Sequence, residues 1–176
     1  YPITPQSEIP EYFARELPPR GGLFLQAESE MAAMNMVMGA SAAGGRVMTS
    51  TSGPGYCLKL EALAAMALTR LPAVVVVVMR SGPAFGTMKA AQEDYRMTGN
   101  GGYKVVTFAP SDVQEAAAMV YEAFDIADQY RNPVVIMADG MIGQMMGAVD
   151  FDKMPAKRMN LPEKTWALRG SASRGG

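Results

Sequence analysis

The stretch "AVVVVVM" at 73–79 contains no polar residue, and it limits the possible folds more than any other part of the chain. A strand with one wet face alternates polar and apolar side chains, whereas a strand covered on both faces reads as a continuous apolar run. Its surroundings fit the second case. From residue 23 the order is strand "LFLQA", helix 28–43, strand "RVMTS", helix "GYCLKLEALAAMALTR", the valine strand, and strand "KVVTFA" at 104–109. A helix "PSDVQEAAAMVYEAFDIADQYR" follows, with Ser111 and Gln114 at capping-box spacing, then a strand "NPVVIMAD" and a helical turn in "GMIGQMMG". The expected fold class is α/β, a mostly parallel sheet with helices on both faces. Ligands in such folds sit beyond the carboxyl ends of the strands, here at the loops "TSTSGPG" (49–55) and "RSGPAFGTMKAAQEDY" (80–95).

Composition then narrows the chemistry. The chain has 176 residues, enough for one domain with a sizeable core, and a formal net charge of −1, without the basic excess of a nucleic-acid binder. No apolar run approaches the roughly 18 residues of a membrane span. With no histidine, Ser-His-Asp, Cys-His and His-ligated zinc sites are excluded from this chain. One cysteine, Cys57, allows neither an internal disulfide nor a four-thiolate iron–sulfur cluster. A lone thiol without a signal peptide leads to the expectation of a cytoplasmic protein. Any chemistry here rests on carboxylates, Arg, Lys, hydroxyls, backbone groups or a borrowed cofactor. The 16 methionines read first as a pliable core.

In "AESEMAAMNMVMGAS" (27–41), Glu28 and Glu30 are the only charges, set at the head of an apolar run. An acid in the first turn of a helix is favoured by the dipole, a sufficient reason for either one. Glu30, however, directly adjoins a surface of small and methionine residues. Met31, Met34 and Met38 form a stripe there, and Ala33, Gly39 and Ala40 permit close packing. A carboxylate drawn out of water there is poised to share a proton. Glu28 is expected to face solvent. Arg80, at the end of the valine strand, is either an ordinary surface arginine or a fork for a substrate carboxylate. "TSTSGPG" lacks the spacing of a P-loop or a G-x-G-x-x-G dinucleotide turn, which disfavours an ordinary nucleotide site.

Glu30, then Gly39-Ala40, a strand and "TSGPG" at 51–55 resemble, in that order, the pyrimidine-binding domain of thiamine diphosphate enzymes. "YPITP" (1–5), the run 27–55 and "VVVMRSGP" (76–83) resemble the alpha-type chain of the 2-oxoacid:ferredoxin oxidoreductases. The stretch 109–146 is most similar to the 2-oxoisovalerate (branched-chain) members. The resemblance covers about residues 1–150. It implies that Glu30 binds the aminopyrimidine nitrogen and favours its imino tautomer, that Thr4 lies beside the oxo-acid head, and that Arg80 pairs with the substrate carboxylate. Pro2, Ile3, Ser52, Gly53 and Gly55 would shape the cofactor pocket. It further implies oxidative decarboxylation of a 2-oxo acid to acyl-CoA and CO2, with electrons passing to ferredoxin. Thiamine diphosphate would be shared with a beta-type subunit, and magnesium and iron–sulfur clusters would lie on partner chains only. A non-oxidative thiamine-dependent decarboxylase or synthase, or a non-catalytic scaffold of the same fold, remain as alternatives.

Two departures accompany the resemblance. The family's glycine-histidine-glycine position is replaced by Gly99-Asn100-Gly101. A strand and a helix ahead of "YPITP" and a domain after the tail are expected to be missing, so the chain is expected to be a fragment that is inactive alone; with the magnesium and diphosphate site on a separate subunit, it would offer half an active site. Residues 153–176 carry six Lys or Arg against one Glu. The 151–176 tail reads as a solvated linker or as an arm on a partner subunit anchored by Trp166.

Overall fold

The computed structural model describes residues 1–81, 88–100, 102–156 and 160–170. Among the described residues there are four strands, β1 (Met48–Thr51), β2 (Val74–Val78), β3 (Val106–Phe108) and β4 (Val134–Ala138). They form one sheet in the order β1-β2-β4-β3 with every pair parallel. The helices are α1 (Glu8–Glu16), α2 (Glu30–Ala42), α3 (Gly53–Thr69) and α4 (Val113–Tyr130).

The valine strand is covered on both sides, as its composition requires. Val75, Val77 and Met79 face a core with Met34 and Val37 of α2 and Tyr56, Leu63 and Met66 of α3. Val74 and Val76 face the opposite core, with Ala123, Ile126 and Ala127 of α4. The two-residue alternation of side chains along a strand assigns successive valines to the two layers. The methionines divide: Met34 is core and Met38 packs against it, while Met31 and Met36 are exposed. Gly39 and Ala40 face solvent, and nothing lies within 4 Å of where a Gly39 Cβ would stand.

Two local expectations need correction. "LFLQA" is not a strand: it pairs with no described residue, and Leu23 and Leu25 are 77% and 63% exposed. Alternating apolar residues make a strand only where a ladder partner exists. The cap of α4 is Asp112, one residue later than Ser111; its Oδ1 accepts from the Glu115 amide at 2.7 Å. The Glu115 carboxylate reaches back to the Ser111 amide and hydroxyl at 2.7 and 2.8 Å. Gln114 instead holds the Asp150 backbone, through its carbonyl and its amide group. The "GMIGQMMG" turn is present, closed by Gly143 N–H to Asp139 O at 2.9 Å.

The tail folds back onto its own chain. Lys164 pairs with Asp128 at 2.8 Å, the Arg131 guanidinium sits 4.6 Å from the Trp166 ring centroid, and Leu168 N–H bonds Ala42 O at 2.8 Å.

Candidate active site

The carboxyl ends of β1 and β2 converge on the turn Ser52–Gly55, which passes directly into α3. Glu30 is the first residue of α2. Its N-cap Ser29 accepts from the Ala32 amide at 3.1 Å, which fixes where the helix starts and therefore where Glu30 stands. The Glu30 side chain is turned inward and is 7% exposed, whereas Glu28 faces solvent. A Cβ built on Gly55 would stand 2.8 Å from Glu30 Oε1 and 2.4 Å from Thr51 Oγ1. Glycine at that position is what lets the carboxylate lie against the start of α3.

Arg80 meets the other end of the same turn. It is only 6% exposed, so it is not an ordinary surface arginine. Its Nη1 donates to Thr4 O at 2.8 Å, and its Nε lies 2.3 Å from where a Gly53 Cβ would be. Gly53 also has φ +48, so two independent constraints favour glycine there. One four-residue turn thus separates the acid from the arginine, with Glu30 against Gly55 and Arg80 against Gly53.

"YPITP" lies over these strand ends. Thr4–Pro5 is cis, and Gln6 N–H bonds Ile3 O at 2.9 Å, closing the turn. Gln6 is buried and accepts from Ser50 Oγ of β1 at 2.5 Å, which ties the segment to the sheet. Thr4 and Pro2 are exposed and Ile3 is half-buried.

Two contributors were not foreseen from the sequence. Asp94, fully buried, accepts at Oδ2 from Gly53 N–H at 2.9 Å and Arg80 N–H at 3.0 Å. It therefore clamps together the turn and the strand end that hold the two ends of the site. Burial raises the Asp94 carboxyl above its ordinary value, while those two amide bonds pull it back. Lys59 of α3, also fully buried, donates to Glu30 O at 3.3 Å and Thr49 Oγ1 at 3.1 Å. The sequence did carry a signal for Lys59, because it shares a helical face with Tyr56, Leu63 and Met66. Nothing distinguished Asp94, which lies in the loop that follows Arg80. Most of that loop's first half, residues 82–87, lies outside the described residues, as does Gly101 of the Gly99-Asn100-Gly101 replacement.

Buried polar atoms without a hydrogen-bond partner gather around the turn: Thr51 Oγ1, Ser52 Oγ, Arg80 Nε and Asp94 Oδ1. Such atoms are costly when unpaired. A polar ligand at this strand edge would satisfy them. No metal-ligating cluster of His, Cys, Asp and Glu occurs among the described residues, and no described helix is long and apolar enough to cross a membrane.

Comparison with known proteins identifies the family. Residues 1–169 match the family described as pyruvate flavodoxin/ferredoxin oxidoreductase, thiamine diP-bdg. The chain is 47% identical over 175 residues to the ketoisovalerate oxidoreductase subunit VorB of Methanothermobacter marburgensis, covering 97% of this chain and 49% of that protein. It is 45% identical over 150 residues to the 2-oxoglutarate synthase subunit KorA of Methanocaldococcus jannaschii, covering 82% of this chain and 41% of the other. The chain spans about half the length of the curated relatives it matches. Among solved structures, the 2-oxoglutarate:ferredoxin oxidoreductase of Magnetococcus marinus, with 2-oxoglutarate, coenzyme A and succinyl-CoA bound, matches with a TM-score of 0.77. The identity there is 37%, over 81% of this chain and 26% of that one. With nearly its whole length inside the family match, the chain belongs to the thiamine diphosphate-binding domain family of the pyruvate flavodoxin/ferredoxin oxidoreductases.

Proposed function

We propose that this chain supplies the pyrimidine side of the active site in a thiamine diphosphate-dependent 2-oxoacid:ferredoxin oxidoreductase, with a branched-chain 2-oxo acid as substrate. The observation that carries the reading is the burial of Glu30 against the Ser52–Gly55 turn at the carboxyl edge of the sheet. The cofactor fits the residues present: an inward carboxylate suits a ring N–H, and the unpartnered atoms of Thr51, Ser52 and Arg80 suit a polar ligand. The 47% identity to a ketoisovalerate oxidoreductase subunit supports the choice of substrate.

Bound thiamine diphosphate supplies an electron sink for cleavage of the bond to the substrate's carboxylate. The tasks left to this chain are positional. Glu30 holds a proton at the aminopyrimidine ring nitrogen. Arg80, steadied by Thr4 O and by Asp94, presents positive charge to the oxo-acid carboxylate, and Thr4 lines the approach to it. Pro2, Ile3, Ser52, Gly53 and Gly55 form the wall. Magnesium, the diphosphate site and the iron–sulfur clusters belong to a beta-type subunit and an iron–sulfur subunit. Ferredoxin takes the electrons and coenzyme A the acyl group, in the cytoplasm.

Glu30→Gln in the full complex tests this reading. Oxo-acid-dependent reduction of ferredoxin or a dye is expected to fall by about 100- to 10,000-fold, the usual worth of a proton-handling group, with assembly preserved. Near-normal turnover would overturn it. Product analysis with and without coenzyme A and an electron acceptor separates it from a non-oxidative decarboxylase.

A further inference from the structure

Lys59 is the least expected residue in the core. On α3 it occupies the buried face beside Tyr56, Leu63 and Met66, with no exposed surface. None of the ion pairs among the described residues includes it. Its ammonium donates to Glu30 O and Thr49 Oγ1, which accounts for two of its three N–H groups. The charged group facing it is Glu30 from α2; β1 contributes only the Thr49 hydroxyl. A buried ammonium without an ion-pair partner opposes folding, and an unbranched apolar side chain would fill the same space without that penalty. The fold accepts the charge at the one place where it touches the backbone of the proposed cofactor acid.

We infer that Lys59 is the positioning residue for Glu30: its ammonium fixes the carbonyl of the first residue of α2 and sets a positive charge in the wall behind the carboxylate. This rests on the reading of Glu30 as the cofactor's pyrimidine anchor. Burial pushes Lys59 down to about 8, with Glu30 pulling the other way. The charge behind Glu30 is therefore present at neutral pH and is lost as pH rises through 8.

Stability and binding respond in opposite directions. Because the folded value lies below the ordinary 10.5, the unfolded chain holds more protons between the two values. Lys59 therefore makes the fold more stable as pH climbs through that window, and least stable below it. Removing the amine relieves the cost at neutral pH while weakening the site, a combination that a merely structural lysine would not produce.

The experiment uses the full complex as parent, Lys59→Met, Lys59→Arg and Glu30→Gln. It measures the apo thermal midpoint and, by calorimetric titration with thiamine diphosphate and magnesium, the cofactor Kd from pH 6.5 to 9.5. Lys59→Met is expected to melt at or above the parent midpoint at pH 7. Its cofactor binding should weaken about tenfold, within the range of coupling between touching residues, and lose the parent's decline above pH 8. Lys59→Arg should recover part of the affinity. If Lys59→Met does not assemble, Lys59→Gln carries the same comparison. Cofactor affinity in Lys59→Met within twofold of the parent, while Glu30→Gln binds poorly, overturns the inference and leaves the reading of Glu30 standing. Parent-like binding by Glu30→Gln overturns the inference, because cofactor affinity would then not depend on the group that Lys59 positions; the reading of Glu30 is decided by turnover.

Discussion

Gly55 decides how closely Glu30 can approach α3, and two effects of replacing it compete. Alanine in a helix is favoured over glycine by up to about 1 kcal/mol. At Gly55 the added carbon would stand 2.4 Å from Thr51 Oγ1 and 2.9 Å from Glu30 Cγ. Thr51 is β-branched and fully buried, so it cannot step aside, and overpacking of this kind costs about 1–3 kcal/mol. The clash outweighs the gain in helix propensity. Gly55→Ala is expected to lower the thermal midpoint and to weaken thiamine diphosphate binding, because the displaced group is the Glu30 carboxylate itself. Gly39→Ala in α2 is the control, since nothing stands within 4 Å of its Cβ position. The same chemical change should there raise the midpoint slightly. Equal shifts at the two sites in thermal denaturation would contradict the contact.

At the level of elements, local chemistry was readable where a segment's partner lay within the segment or where its pattern left one option. The valine strand had one option and took it. The α4 start was readable in kind, though not to the residue, because Ser111, Asp112, Gln114 and Glu115 offer two overlapping capping frames. Asp112 wins by accepting the Glu115 amide, while Glu115 folds back on Ser111. Asp112→Ala should therefore cost about 1 kcal/mol by chemical denaturation, more than Ser111→Ala, with cofactor affinity unchanged in both. "LFLQA" had the composition of a strand but no ladder to join, and pairing is not written in one segment. The site divides along the same line. Local setting left Glu30 open as a helix-start acid and Arg80 as a surface arginine; the resemblance singled them out, and both prove to be buried at the strand edge. Asp94 was not singled out, because its importance lies in two amides, Gly53 and Arg80, far from it in sequence and next to each other only after folding.

Across the whole molecule, the basic tail is held by acids that the sequence placed inside an apolar helix face. Asp125 and Asp128, one turn apart on α4, are both buried. Arg46, just before β1, reaches both: it contacts Asp125 Oδ1, and its Nε lies 3.0 Å from Asp128 Oδ2. Lys164 takes the other Asp128 oxygen at 2.8 Å. Asp128 therefore joins the sheet edge, α4 and the tail through one carboxylate, and Leu168 N–H on Ala42 O completes the docking. Asp128→Asn removes the charge with little change of shape. Arg46 retains Asp125, and being 41% exposed it is partly compensated by water. Lys164, at 17% side-chain exposure, is left with a desolvated ammonium and a neutral neighbour. Fully buried pairs lose about 3–5 kcal/mol when one partner is removed; the exposure of Arg46 reduces that here to about 1–2 kcal/mol, in the direction of surface pairs. The loss should fall on the tail rather than on the sheet, since β2 and β4 are held by apolar contacts that Asp128 does not make. In the full complex, hydrogen exchange of the Leu168 amide should quicken by about tenfold, the equivalent of roughly 1.4 kcal/mol, while the amides of Val75 and Val135 keep the parent rate. Uniform acceleration across the sheet would mean that Asp128 supports the whole fold, and an unchanged Leu168 rate would mean that Trp166 and Arg131 hold the tail without it.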